Sequence, residues 1–349
     1  MDKLNIVVVG SGVIGRTHVD TLLRSESMRL AALVDPSPAS MELAAALRVP
    51  HYPDVGALLN GKRLDGCIIA SPNHTHVDIA LSLLRAGVPV LLEKPLADQI
   101  GGARELLEAV RTSRVPLLLG HHRRHNPIIQ VAKRAIDEGM LGDPVTAVVN
   151  AALLKPDAYF DTQWRKTPGQ GGPVAINLSH EVDLLRHFFG EVESVQAVVS
   201  HRRRGFEVED TCGSVMKFAC GMIATLSVSD AASGPWAWDL TAGENPQRFP
   251  AHDTIAHQYS GSVGGLSLPD LRFWSYPSSP DWTAKMLSRQ LPYVPTDVYA
   301  AQLVHFGELI RGQCDPMVSC EDGVRNMEVL EAIHLSSQQA RTVQMKEVV

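Results

Sequence analysis

The sequence predicts an α/β fold in two parts: a doubly wound parallel sheet over the first third of the chain, then a second α/β part built on an antiparallel or mixed sheet. Three observations carry this. Up to residue 120, short apolar strand-type runs alternate with helix-type segments, as strands joined by crossover helices do. Beyond it, strand-type runs follow one another with only turns between them. The length of 349 residues also exceeds the roughly 150 expected of one domain.

The first element is the apolar run at residues 4–9, bounded by glycine, as expected of a strand covered on both faces. Gly10, Gly12 and Gly15 follow in a turn, then a helix-compatible segment, then a second strand at residues 30–34 that ends at Asp35. In this setting Gly10 permits the tight turn, Gly12 lets the backbone approach a pyrophosphate, and Gly15 lets the helix pack close to the strand. Val13 and Ile14 offer free N–H groups at the positive end of that helix. Asp35 can accept hydrogen bonds from both ribose hydroxyls of an adenosine and would repel a 2′-phosphate. Pro36, Ser37 and Pro38 come next, with no Arg or Lys to receive such a phosphate. The expected cofactor is therefore NAD, with NADP less favoured; the competing reading is a generic strand-turn-helix corner.

Residues 39–47 read as helix. Residues 64–70 read as a fourth strand ending in Ser71-Pro72-Asn73-His74-Thr75-His76, and a helix over residues 76–85 is stopped by Gly87. A fifth strand at 88–92 ends in Glu93-Lys94-Pro95, residues 99–111 read as helix, and a sixth strand at 115–119 ends at Gly120. Open parallel sheets bind ligands outside the carboxyl ends of their strands. Gly10, Asp35, Ser71, Glu93, Lys94 and Gly120 are thus expected to converge on one cleft.

In the second part, residues 127–138 read as a helix ended by Gly139 and 145–154 as a long strand. A loop with Trp164, Arg165 and a glycine turn at 169–173 leads into an apolar-periodic helix at 174–189, ended by Gly190. Strands are expected at 192–201, 211–219 and 222–229. The stretch 233–295 is rich in Gly, Pro, Ser and aromatics, where only short strands such as 236–242 are placed, and helices at 298–311 and 321–339 close the chain. The expected domains are 1–121, binding the dinucleotide, and 122–349, binding substrate.

Composition excludes several classes. The net charge of −6 without a basic tail argues against a nucleic-acid partner. No apolar run reaches the roughly 18 residues of a membrane span, and the N-terminus shows no signal-peptide cleavage pattern, so a soluble cytoplasmic protein is expected. The five cysteines form no C-x-x-C pair and read as small buried apolar residues. His121, His122 and His125 invite a metal reading, but Arg123 and Arg124 stand between them with no carboxylate close in sequence. No metal is expected. His122 and Arg123 are instead expected to line the substrate side of the cleft, the arginine receiving an acidic group. The run His201-Arg202-Arg203-Arg204 reads as a solvated loop face.

Taken together, Gly10-Ser-Gly12-Val-Ile-Gly15 with His18, Asp35, Ser71-Pro72-Asn73-His74 with His76, Glu93-Lys94-Pro95, the segment 120–127, Trp164-Arg165, Gly171-Gly172 and His180-x-x-Asp183 resemble the Gfo/Idh/MocA family of glucose-fructose oxidoreductases and inositol dehydrogenases. The resemblance implies a Rossmann domain followed by an α/β domain with a large open, mostly antiparallel sheet, which in the family often mediates dimers or tetramers. It implies oxidation of a secondary alcohol, or reduction of the ketone, on a sugar, cyclitol or similar polyol. It further implies that Ser71, Asn73, His76, Glu93, Lys94, Trp164 and Arg165 contact the cofactor, that Lys94 and His180 are catalytic, and that Asp183 binds substrate. Many family dehydrogenases carry Asp four residues before the histidine, where this chain has Ile176; Asn177 is the nearest polar side chain and can face the substrate in its place.

Removing a hydride from a carbinol carbon requires the hydroxyl proton to leave to a base. His180 suits this role, since imidazole titrates near neutrality. Lys94 acts as a base if desolvation leaves it neutral, and otherwise stabilises the developing alkoxide. The competing readings are a core histidine at 180, on the buried stripe with Ile176, Leu184 and His187, an Asp183–Arg186 pair along the helix, and a packing anchor at Trp164. Two other functions are open: an NAD-dependent glycoside hydrolase, and a non-catalytic NAD-binding regulator.

Overall fold

A computed structural model describes residues 3–60 and 64–348 of the chain. Met1 and Asp2, on which the reading of the N-terminus partly rested, lie outside the described residues. Two compact units form, the first from the chain up to His125 together with Thr296–Met327, the second from Asn126–Pro295 and the chain from Glu328 onward.

The first unit holds a six-stranded parallel sheet in the order His51–Tyr52, Met28–Val34, Leu4–Val9, Gly66–Ile69, Val90–Leu92, Leu117–Leu119. This is the doubly wound arrangement, its strand order reversing beside Leu4–Val9. The apolar runs are buried as read, with Ile6, Val7, Val8, Ile68, Ile69, Leu91 and Leu118 without solvent exposure. The third strand was not placed by the sequence reading, because two residues, His51 and Tyr52, carry no periodicity.

The compact units are not contiguous in sequence, since Thr296–Met327 return to the first. Asp297 caps the helix Val298–Ile310 by accepting from the N–H groups of Tyr299 and Ala300. The helix then buries Leu303, Phe306 and Leu309 in the core of the first sheet. Its approach is close: a Cβ on Gly66 would stand 2.7 Å from Ile310 and 3.1 Å from Phe306.

The second unit holds a nine-stranded sheet, in the order Leu287–Gln290, Arg272–Ser275, Gly264–Leu268, His257–Gly261, Pro144–Ala152, Ile223–Ser229, Thr211–Phe218, Val192–Ser200, Val343–Gln344. It is mostly antiparallel; Pro144–Ala152 and Ile223–Ser229 pair in parallel. Alternation decides its faces: in Thr211–Phe218 and Ile223–Ser229, Cys212, Met216, Ala224 and Leu226 are buried while Val215 and Ile223 are exposed.

Three expectations need correction here. The strand expected at 236–242 is a short helix, Trp238–Thr241, with Trp238 fully buried and Thr241 Oγ1 donating to Ala237 O. The helix expected over 174–189 opens with a π-helical turn, Val174–Leu178, before the α-helix Ser179–Phe189. Arg204 is not a solvated loop residue: its side chain is 9% exposed and its Nε stands 2.8 Å from Asp230 Oδ1.

Candidate functional site

The glycine turn is shaped by contact. Gly10 has φ +90°, and a Cβ on it would lie 2.5 Å from the carbonyl oxygen of Ala70. A Cβ on Gly15 would lie 2.0 Å from the Gly10 carbonyl oxygen, so helix Val13–Arg24 can sit this close to the strand end only with glycine there. Around Gly12 a Cβ would meet nothing within 4 Å. Gly12 begins the helix with no side-chain cap, and Val13 after it is 70% exposed. The first N–H groups of the helix, with those of Val13 and Ile14 among them, therefore face open space at the positive end of the helix dipole.

Asp35, beyond the end of Met28–Val34, is prepared as an anion. Its Oδ2 accepts from Ser11 N at 2.8 Å and Ser11 Oγ at 3.0 Å, and its Oδ1 accepts from Ser37 N at 2.8 Å. Burial opposes ionisation, but these bonds from Ser37 and Ser11 outweigh it and hold the carboxyl below its ordinary value of 3.8. The residues present fit a dinucleotide: open, uncapped helix N–H groups for phosphate and a fixed carboxylate for ribose.

The other strand ends join the same region of this unit. Ser71 and Thr75 hydroxyls are 2.7 Å apart, and Asn73 opens the 3-10 turn Asn73–Thr75. His76 is fully buried, its Nδ1 2.8 Å from Pro95 O and its Nε2 3.0 Å from Ser71 O. Burial lowers the His76 pKa, so the ring carries one N–H and donates to one of these two carbonyls while packing between the 71 turn and the Lys94-Pro95 turn. Glu93 is buried, with Oε1 2.8 Å from Nε2 of His18. Burial again opposes its ionisation, and the His18 bond together with the charges of His18, His122 and Lys94 lowers its pKa all the same.

Sequence reasoning missed Tyr299. From the returning helix its ring stacks on His122 at 5.0 Å and meets His18 edge-on at 5.7 Å. The 3-10 turn His122–His125 carries Arg123 and Arg124, both buried. Arg124 donates to Met317 O at 2.9 Å and lies 3.3 Å from Asp322 Oδ1. Burial, His305 and His122 push His125 down to about 3, so it is neutral at ordinary pH. His305, Glu308 and Cys314 bring possible metal ligands within 4.8 Å of one another. However, His305 Nε2 accepts from Met317 N at 3.0 Å, which places its proton on Nδ1, the atom 3.8 Å from Cys314 Sγ and the one a metal would need bare.

The remaining candidates belong to the second unit. The Arg165 guanidinium lies over the Tyr159 ring at 4.0 Å, and its Nη1 donates to Tyr159 O; Trp164 beside it is 40% exposed. His180 and Asp183 lie in the first turns of Ser179–Phe189, 7% and 1% exposed. Arg186 makes a two-pronged pair with Glu191, Nε to Oε2 at 3.0 Å and Nη2 to Oε1 at 2.7 Å. Asn177 Oδ1 accepts from Lys155 Nζ at 2.7 Å. On the same helix as His180, the Glu181 carboxylate is 2.9 Å from Nε2 of His257, whose Nδ1 is 2.8 Å from the Tyr259 hydroxyl, all three buried.

Comparison with known proteins agrees with this geometry. Residues 4–121 match the model of an oxidoreductase family with an NAD-binding Rossmann fold, and residues 133–345 match that family's C-terminal alpha/beta domain. The chain is 27% identical over 339 residues to the rhizopine catabolism protein MocA of Rhizobium meliloti, covering 95% of this chain and 94% of that protein. It is 28% identical over 331 residues to the 1,5-anhydro-D-fructose reductase of Ensifer adhaerens, covering 91% of each. The WlbA dehydrogenase of Bordetella pertussis, solved in complex with NADH and UDP-GlcNAcA, is similar with a TM-score of 0.80 over 98% of each chain; at 21% identity that likeness is one of fold.

Proposed function

Since the chain belongs to the Gfo/Idh/MocA oxidoreductases, with their NAD-binding Rossmann domain, we propose that it is an NAD-dependent dehydrogenase of a secondary hydroxyl on a sugar, cyclitol or related hydroxylated ring, or a reductase of the matching ketone. The observation that carries this reading is the uncapped start of helix Val13–Arg24 beside an Asp35 carboxylate already oriented by Ser11 and Ser37.

The bound nicotinamide supplies the hydride acceptor. The rest falls to the chain. Val13 and Ile14 N–H groups hold phosphate, and Asp35 holds the adenosine ribose. Lys94 donates to the reacting oxygen, stabilising charge that builds up there as the hydroxyl proton departs. His180 takes or relays that proton, a task for which imidazole needs no perturbation. Asp183 orients a substrate hydroxyl. Glu93, held by His18, fixes the backbone that carries Lys94.

Location in the cytoplasm suits the five free cysteines; among the described residues no helix is long and apolar enough to cross a membrane. Self-association suits the exposed face of the nine-stranded sheet, where Val148, Val198, Val215 and Ile223 are 37%, 71%, 45% and 48% exposed. A monomer in sedimentation velocity would contradict that part. The activity is tested by incubating the protein with NAD and a panel of sugars, cyclitols and sugar acids while following formation of reduced cofactor. Silence across the panel with NAD demonstrably bound would count against a dehydrogenase.

A further inference from the structure

Gly171 and Gly172 stand ahead of the His180 segment without a part in the chemistry above, and their surroundings show what they make room for. A Cβ on Gly171 would lie 2.2 Å from the carbonyl oxygen of Arg165 and 2.9 Å from that of Trp164. Gly172 has φ +86°, and a Cβ on it would lie 2.4 Å from Oε1 and 2.9 Å from Oε2 of Glu209. The pair therefore fits between the Trp164-Arg165 turn on one side and a carboxyl group on the other.

That carboxyl has a task. Glu209 is 5% exposed, and its Oε1 accepts from Val174 N at 2.9 Å. The first N–H groups of a helix have no partner inside it, Val174 is fully buried and out of reach of water, and Pro173 before it has no N–H. The N-cap residue of the turn supplies no side-chain bond. Glu209, 35 residues further along the chain, thus caps the π-helical turn Val174–Leu178. The carbonyl of the same residue is used as well: Ser179 N donates to Val174 O, the five-residue step that makes the turn π-helical. Two hydrogen bonds meeting at Val174 run from Glu209 to the residue next to His180. Burial raises the Glu209 pKa in spite of the Val174 N–H and the charges of His334 and His201, so the acid is held here at a cost in stability.

We propose that Glu209 is a positioning residue: through Val174 it sets the start and register of the π-helical turn, and with them the direction in which His180 is presented. The proposal rests on the dehydrogenase reading above for the task that His180 performs.

Glu209→Ala and Glu209→Gln test it, the second keeping an oxygen acceptor for Val174 N. One readout is steady-state NAD reduction on whichever panel member is turned over. The other needs no turnover: the His180 imidazole signals in the NMR spectrum of the NADH-loaded protein, isotope-labelled at histidine and assigned by their loss in His180→Asn. Glu209→Ala should lower kcat about tenfold to a hundredfold, as small misplacements of a reacting group do, with NAD affinity unchanged and the His180 signals shifted. Glu209→Gln should keep kcat and signals near those of the wild type. Thermal unfolding verifies that the variants fold, and Glu209→Asp, a methylene shorter, replaces an alanine variant that does not. A lower melting temperature with wild-type kcat and His180 signals would make Glu209 a plain cap and overturn the proposal, as would equal losses in Glu209→Gln and Glu209→Ala. A wild type silent across the panel counts against the dehydrogenase alone, because the His180 signals still decide the role of Glu209.

Discussion

Nε2 of His18 lies 2.8 Å from Oε1 of Glu93, with the two side chains 2% and 11% exposed. This contact ties the helix of the glycine turn to the residue before Lys94, across 75 residues of sequence. It explains why a glutamate can remain charged in a buried position, and it predicts how its loss is felt.

His18→Ala should destabilise the protein by about 3 kcal/mol, because removing one partner leaves the other charge buried. The Glu93 pKa is lowered in the folded chain relative to its ordinary 4.5. Its contribution is therefore complete above 4.5 and is lost as pH falls through the lower folded value. Chemical denaturation of wild type and variant between neutral pH and the acid range should show the difference shrinking toward acid; a gap that widens there contradicts the assignment.

The glycine turn separates folding from binding. Gly15→Ala would press a methyl against the Gly10 carbonyl oxygen at 2.0 Å and should cost about 3 kcal/mol or more by overpacking. Gly12→Ala meets no atom within 4 Å and should melt like the wild type, yet weaken NAD by about tenfold as its methyl enters the phosphate's space. Thermal unfolding and NAD titration of both variants read this directly; equal melting of the two would be inconsistent with the contacts described.

Asp35→Ala should raise the NAD dissociation constant by about thirtyfold, the worth of roughly 2 kcal/mol of charge-assisted hydrogen bonds, and should narrow the gap between NAD and NADP. Because its pKa is depressed below 3.8, NAD affinity of the wild type should not fall between neutral pH and about pH 5 on account of this residue. Fluorescence titration with both cofactors at several pH values tests it; an unchanged preference in the variant would remove Asp35 from the discrimination.

Much of the first sheet and its turn was legible because strand, glycine spacing and acid occupy 32 consecutive residues, 4–35, and local spacing is what a sequence displays. His51–Tyr52 was not, being too short for a pattern. The hairpin strands His257–Gly261 and Gly264–Leu268 lay in a stretch whose Gly and Ser content resembles loop, although their buried Tyr259, Leu266 and Leu268 keep the alternation. Tyr299 was invisible for another reason: the return of its helix to the first unit is a long-range choice made by Leu303, Phe306 and Leu309, and apolar periodicity does not say which core a helix joins. The same holds for Lys155 on Asn177 and for Glu181 facing His257, contacts between residues far apart in the chain.

Tyr259→Phe removes the hydroxyl that faces His257 Nδ1 at 2.8 Å in a buried setting and should cost about 1–2 kcal/mol. Burial, reinforced by the Glu181 charge, holds the Tyr259 pKa well above 10.0, so no tyrosinate forms at ordinary pH and this cost should be the same from pH 6 to 9. Urea unfolding of the pair across that range is the check, and a cost that vanishes at one end would mean that another group titrates.

The most direct test of the central claim is the steady-state rate of NAD reduction by wild type and by Lys94→Ala and His180→Asn, on whichever panel member is turned over. The account predicts kcat reduced about 10²- to 10⁴-fold in each variant, with melting temperature retained in both and NAD binding retained in His180→Asn. Full turnover in Lys94→Ala, or a wild type that prefers NADP, would contradict it.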